Sequence, residues 1–204
     1  MNIERILNNE ITILTARRNE GKTQTLVNMI LEYASKYSAD IWVYGLKTCT
    51  IKALKKEGIN VNVFYSIREM ENIENSIIFA DEAGQLLNVV NRKQQEEMLN
   101  TLRLVSHSNN RIILCGLPFD FKKIFSAQAT CFMYKSLNIA ELINCSTIKE
   151  TLMEYKEAER GAYTLKLPKG KVLCYDAGGF WLDDVVYFKE LDSKADNLDL
   201  FQEK

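Results

Sequence analysis

Residues 16–23 read Ala-Arg-Arg-Asn-Glu-Gly-Lys-Thr and directly follow the apolar run Ile11-Thr12-Ile13-Leu14-Thr15. A buried strand that enters such a loop and leaves it as a helix builds a phosphate cradle. Backbone N–H groups of the loop wrap the β-phosphate, Lys22 reaches the β- and γ-phosphates, and the Thr23 hydroxyl binds Mg²⁺. The helix that starts near Gly21 turns its positive end toward the same phosphates. The usual pattern opens on glycine, and Ala16 is a tolerated variant. The expected nucleotide-binding set is therefore Ala16, Arg17, Arg18, Asn19, Glu20, Gly21, Lys22, Thr23 and Gln24. Arg17 and Arg18 lie in the loop, where they can contact phosphate or a neighbouring molecule.

A second chemical feature is the run Ile77-Ile78-Phe79-Ala80 followed by Asp81-Glu82. An unbroken apolar run is the signature of a strand buried on both faces. Acids at its carboxyl end fall where open α/β sheets bind ligands. Asp81 would hold Mg²⁺, mostly through water. Glu82 would orient or deprotonate an attacking water. Catalysis is thus assigned to Glu82 and Lys22, and the metal to Thr23 and Asp81. No Asn-Lys-x-Asp motif for guanine is present, and the expected cofactors are ATP and Mg²⁺.

These residues need elements to carry them. Leu26, Met29, Ile30 and Tyr33 recur at helical spacing and predict a helix over Gln24 to Tyr37. Residues 1–10 read as a short lead-in. Strands are expected at residues 40–44, Asn60 to Phe64, Arg111 to Cys115 and Thr130 to Tyr134, with a helix over residues 48–57. Residues 84–92 read as a polar loop that could reach a partner. Met98, Leu99, Leu102 and Val105 mark a strong helix from Lys93 to Ser106. Residues 138–158 read as helical, split near Asn144-Cys145-Ser146. Ala162 to Leu167, Lys171 to Tyr175 and Phe180 to Phe188 then read as strands with glycine-rich turns, a β hairpin or meander added to the core. Alternating strands and helices predict a three-layer α/β sandwich. The expected organisation is one domain over 1–204: a core at about 11–160, a β extension at 161–189 and a charged tail at 190–204.

Bulk properties narrow the classes. With 204 residues, 47% of them hydrophobic, the chain can bury a substantial core. No apolar stretch is long enough to span a bilayer and no signal peptide opens the chain, so a cytoplasmic protein is expected, in the host cytoplasm if viral. The five cysteines show no Cys-x-x-Cys pair; Cys115 and Cys131 read as reduced core residues. The single histidine, His107, reads as a cap or solvated residue. Formal net charge is −1, from 26 Lys and Arg against 27 Asp and Glu. Tight binding of nucleic acid by a monomer usually goes with a basic surplus. Only a ring of subunits would concentrate the local basic runs, such as Lys47, Lys52, Lys55 and Lys56, into a channel.

From residue 11 to about 175 the chain resembles the FtsK–HerA group of P-loop ATPases, and among them the small A32-like genome-packaging ATPases of membrane-containing icosahedral viruses. The likeness rests on Ala16 to Thr23, Ile77 to Glu82, the strand Ile112-Ile113-Leu114-Cys115, and Ser126 to Thr130 leading into Cys131-Phe132-Met133-Tyr134. It implies a RecA/ASCE-like core in which Arg111 to Cys115 lies between the loop strand and the acid-tipped strand. It also implies a homo-oligomer, usually a hexameric ring, that moves double-stranded DNA through its pore with viral capsid or membrane proteins as partners. An arginine from one subunit would complete the neighbour's site, with Arg92, Arg103 and Arg160 as candidates. The family's polar sensor at the end of the strand after the acid is here replaced by Cys115-Gly116, leaving Gln128 or Asn110 as substitutes. Two other readings stay open. Asp81 to Gln85 and Gly116 to Phe121 echo a thymidine-kinase-like nucleoside kinase, although the paired-cysteine zinc module of those enzymes is missing. A nucleotide-switched phage assembly or replication protein is the other.

Overall fold

A computed structural model describes residues 1–87, 91–135, 167–168 and 170–186. Arg160, Cys145, the helices expected over 138–158, all but the last residue of the strand expected over Ala162 to Leu167, and the tail from 190 lie outside the described residues.

One sheet organises what is described. Its strands are β1 (Ile11–Thr15), β2 (Ile41–Tyr44), β3 (Asn62–Val63), β4 (Ile77–Ala80), β5 (Arg111–Gly116), β6 (Cys131–Tyr134), β7 (Lys171–Asp176) and β8 (Gly179–Asp184). Their order is β3-β2-β4-β5-β1-β6-β7-β8. The first six are parallel; β7 joins β6 antiparallel, and β8 pairs antiparallel with β7 to end the same sheet. The insertion of β5 between β1 and β4 is the arrangement that the family resemblance implies.

Two helical layers follow from alternation along the strands. Ile11, Ile13, Ile78, Ala80, Ile112 and Leu114 pack on one face, with Phe121, Phe125 and the apolar stripe Met98, Leu99, Leu102 and Val105. That stripe lies on α6 (Arg92–His107), started by a capping box between Asn91 and Gln94. Leu14, Ile77, Phe79, Ile113, Cys115 and Cys131 point to the other face, against Leu26, Met29 and Ile30 of α2 (Lys22–Lys36) and Leu54 of α3 (Thr48–Lys56). The result is the three-layer α/β sandwich expected.

Several local expectations change. The lead-in is a helix, α1 (Ile3–Leu7), capped by the Asn2 side chain, with Ile3 and Ile6 fully inside the α2 layer. The polar loop after the acids begins instead as a turn of helix, α5 (Ala83–Leu86), whose Ala83 and Leu86 enter the core with the following Leu87. An unforeseen turn, α4 (Ile67–Met70), buries Met70, and α7 (Lys123–Ser126) precedes β6. The strand expected from Asn60 to Phe64 is only the two-residue β3 at the sheet edge. The C-terminal hairpin is an extension of the core sheet. His107 is the exposed last residue of α6, as expected. No described helix is long and apolar enough to cross a membrane.

Candidate nucleotide site

All the parallel strands deliver their carboxyl ends to one edge of the sheet, so the loop after β1 and the acids after β4 meet there. The loop is tightly wound. Asn19 has φ 63° and Gly21 has φ 79°, both left-handed. Gly21 is the N-cap of α2 and gives the helix no side-chain cap. The start of α2 is thus without a side-chain cap, and a helix N-terminus favours an anion. Ala16 is buried, while Arg17, Arg18 and Asn19 are exposed and Glu20 is half-buried. Lys22 is only 9% exposed, and its Nζ curls back to donate to the Arg17 carbonyl at 3.4 Å. The lysine therefore lies across the mouth of its own loop. Gln24 sits in the first turn of α2, and its carbonyl accepts from Asn28 Nδ2 at 2.8 Å.

Beside the loop, Asp81 is 5% exposed. Its Oδ2 accepts from the Thr23 hydroxyl at 2.6 Å, and its Oδ1 accepts from the Glu82 N–H at 3.1 Å. Two residues 58 positions apart are thus in direct contact. Their hard oxygens are the donor type Mg²⁺ takes, with water and phosphate completing its shell, so the residues present fit that ion. The Asp81 backbone is also fixed: its N–H donates to the Tyr44 carbonyl at 2.8 Å. Gly45, at φ 73°, lets the chain pass so close that a Cβ there would run into the Asp81 carbonyl oxygen. Here glycine is required by both conformation and space.

Glu82 is exposed and left-handed at φ 52° and ψ 42°, where it caps α5. A non-glycine residue in that region is held against a local cost, and such positions cluster at functional sites. The turn turns the Glu82 carboxylate away from the core while Asp81, one residue earlier, stays inside it.

The end of β5 contributes two groups. Cys115, wholly buried, is pushed well above the usual thiol range by burial first and then by the nearby Asp81 carboxylate. It stays a protonated thiol behind Asp81, at the place where the sequence resemblance implies a polar sensor. Asp120 follows on a short 3-10 turn, Pro118–Asp120. Its Oδ2 accepts from the Leu117 N–H at 2.6 Å, and its carboxylate packs so tightly on Gly84 that a Cβ there would collide with it. The segment after β5 is thereby locked to the turn that carries Glu82.

The proposed sensors go elsewhere. Asn110 is fully buried before the amino end of β5, where it accepts from the Ser76 N–H and donates to the Ile73 and Val105 carbonyls. Gln128 precedes the amino end of β6 and accepts from Arg103 Nε at 3.0 Å. Both lie at the edge opposite the phosphate loop. Arg92 is the first residue of α6. Sequence reasoning missed Lys135, a lysine only 7% exposed at the carboxyl end of β6. Its signal was available: it is the first charged residue after an apolar strand in the same sheet, at the edge that also holds Ala16 and Asp81.

No protein-family profile matches the chain, and no curated protein matches it either. Solved structures do. The DNA-packaging ATPase B204 from Sulfolobus turreted icosahedral virus matches with TM-score 0.59 at 15% identity, over 87% of this chain and 98% of that one. The fold is that of the B204 packaging ATPases. The genome-packaging NTPase B204 from Sulfolobus turreted icosahedral virus 2, in complex with AMPPCP, matches at TM-score 0.58 and 15% identity, over 88% of this chain and 98% of that one. The cytoplasmic domain of the Thermomonospora curvata type VII secretion ATPase EccC matches at TM-score 0.62 and 12% identity, over 90% of this chain but 24% of that one. The resemblance read from the motifs thus extends to the whole fold.

Proposed function

We propose that the chain hydrolyses ATP and couples the reaction to movement of double-stranded DNA, in viral genome packaging. The observation that carries the hydrolytic part is the Thr23–Asp81 contact, which joins the phosphate loop to the acid-tipped strand and leaves Glu82 exposed beside it. In this reading the loop amides and Lys22 hold the β- and γ-phosphates. Thr23 and Asp81 hold Mg²⁺, which when bound neutralises charge on the phosphate oxygens. Glu82 accepts a proton from, or orients, the water that attacks the γ-phosphorus in line. Cys115 and Asp120 position Asp81 and the Glu82 turn without touching substrate.

The DNA-moving part rests on the likeness to B204 and on charge. With a net charge of −1, a single subunit has no basic surplus, so a ring is needed to gather its lysines around a channel. In a hexameric ring Arg92 or Arg160 would reach the neighbour's phosphates; Arg103 is already engaged with Gln128. Viral capsid or membrane proteins are the partners such a motor would work with.

Steady-state phosphate release from ATP, with and without linear double-stranded DNA at low salt, tests the whole reading. Turnover that rises with DNA supports it. Turnover indifferent to DNA but switched on by a nucleoside, with phosphate appearing on that nucleoside, replaces it with the kinase reading. No turnover under either condition contradicts it and leaves the nucleotide-switched assembly protein.

A further inference from the structure

The geometry points to Lys135 as a second phosphate-holding lysine, which binds the nucleoside-side phosphates of a nucleoside di- or triphosphate from the flank of the loop opposite Asp81. This rests on the nucleotide site described above and adds to it a residue that no motif contains.

Lys135 is placed by the sheet. β6 pairs with β1 so that Tyr134 lies opposite Thr15, and the Lys135 N–H then donates to the Thr15 carbonyl at 3.0 Å. The residue is therefore anchored to the last strand residue before the phosphate loop. Its side chain runs to the N-terminus of α2, where Nζ stands 3.8 Å from the position a Cβ on Gly21 would take. Gly21 is the N-cap of α2, a helix of 15 residues to which it gives no side-chain cap, and a helix N-terminus favours an anion.

Among the described residues no carboxylate stands within ion-pair distance of Lys135 Nζ. Burial lowers the ammonium's pKa, and Glu20, itself in the loop, pulls it back up. A buried ammonium without a close partner is costly, and an anion at the helix terminus would offset that cost.

Position then selects which phosphates. Across the sheet β6 is separated from β4, which carries Asp81 and Glu82, by β1 and β5. Three strand spacings of ~4.8 Å put the two about 14 Å apart. Lys22, Thr23 and Asp81 serve the γ-phosphate and cation side. Lys135 serves the other side, so ADP and ATP engage it equally.

Calorimetric titration of ADP and of ATP, each with Mg²⁺, into wild type, Lys135→Gln and Lys135→Arg tests this, alongside thermal melting without nucleotide. The loss of one charged hydrogen-bonding group predicts that Lys135→Gln weakens both nucleotides alike, by about 10- to 100-fold. Lys135→Arg should recover most of the affinity, and the nucleotide-free Tm of Lys135→Gln should not fall. A lower nucleotide-free Tm with unchanged affinities overturns the inference and leaves Lys135 as a structural partner of Glu20. Loss for ATP alone overturns the nucleoside-side placement. If wild type binds neither nucleotide, the site itself is wrong; if wild type binds and Lys135→Gln binds equally well, only the role of Lys135 fails.

Discussion

The two flanks of the sheet, seen from β1, are built by different rules. On one side β5, β4 and β2 run parallel to β1, with β4 and nearly all of β5 buried on both faces and β2 on one, and they bring Cys115, Asp81 and Gly45 to the phosphate loop. On the far side of β6 the hairpin β7–β8 is antiparallel; Val172, Leu173 and Cys174 of β7 enter the core, and polar contacts secure the rest. Arg5 of α1 forms a bidentate pair with Asp176, at 2.8 and 2.6 Å, and its guanidinium lies 3.8 Å over the Trp181 ring. Asn28 of α2 both donates to and accepts from the Val186 backbone. Lys171 pairs with Asp184 across the two strands. The parallel flank carries strained backbone at Glu82 and a glycine with no room for a side chain; the hairpin's contacts are conventional pairs. Chemistry is concentrated where apolar burial makes the scaffold rigid, and the hairpin closes the edge of that scaffold.

Substitutions should separate the two flanks. Lys22→Ala should reduce ATP turnover by about a hundredfold or more while the melting curve stays that of the wild type, because the lysine's main work is on phosphate charge. Gly45→Ala should break both properties. A left-handed alanine pressed on the Asp81 carbonyl should cost about 2 kcal/mol or more and lower Tm by about 4–8 °C, with turnover falling as Asp81 shifts.

On the hairpin side, Arg5→Ala should lower Tm and leave turnover per folded molecule unchanged; a loss of turnover in the folded variant would join the flanks functionally. This effect has a defined acid dependence. Hydrogen bonding to Arg5, more than any other cause, holds the Asp176 carboxyl below its ordinary value. A depressed carboxyl contributes stability above its unfolded pKa and loses it as pH falls through the folded one. The Tm gap between wild type and Arg5→Ala should therefore be constant from pH 5 to 8, as a rough window, and close below about pH 4. The smallest effect is expected from Asn91→Ala. Removing the α6 cap should cost about 1 kcal/mol in thermal denaturation without altering turnover, since Asn91 serves only the helix start.

What could be read from the sequence follows the range of the forces involved. The strand, loop and helix around Ala16 to Thr23 and the strand before Asp81-Glu82 were legible because each is signalled within a few residues. The stripe of α6 was legible because its period is local. Ile3-Glu4-Arg5-Ile6-Leu7 was not read as a helix because five residues carry too little periodic signal; burial of Ile3 and Ile6 against α2 decides it. Gly84-Gln85-Leu86-Leu87 read as a loop because its helical turn is fixed by the core and by Asp120, 36 positions from Gly84. Asn110 looked like a sensor by residue type, but only the strand direction shows that it faces the opposite edge. Lys135 was not singled out, and Cys115 was read only as a core residue at the sensor position, because their places beside the loop and Asp81 depend on burial beside other strands.

The most direct test of the central claim is Glu82→Gln, measured for ATP affinity and for steady-state phosphate release against wild type. The account predicts that ATP binds with wild-type affinity while turnover falls by about a hundredfold, since the amide keeps the shape and loses the base. Unchanged turnover in that variant would contradict the assignment of hydrolysis to the acid after β4.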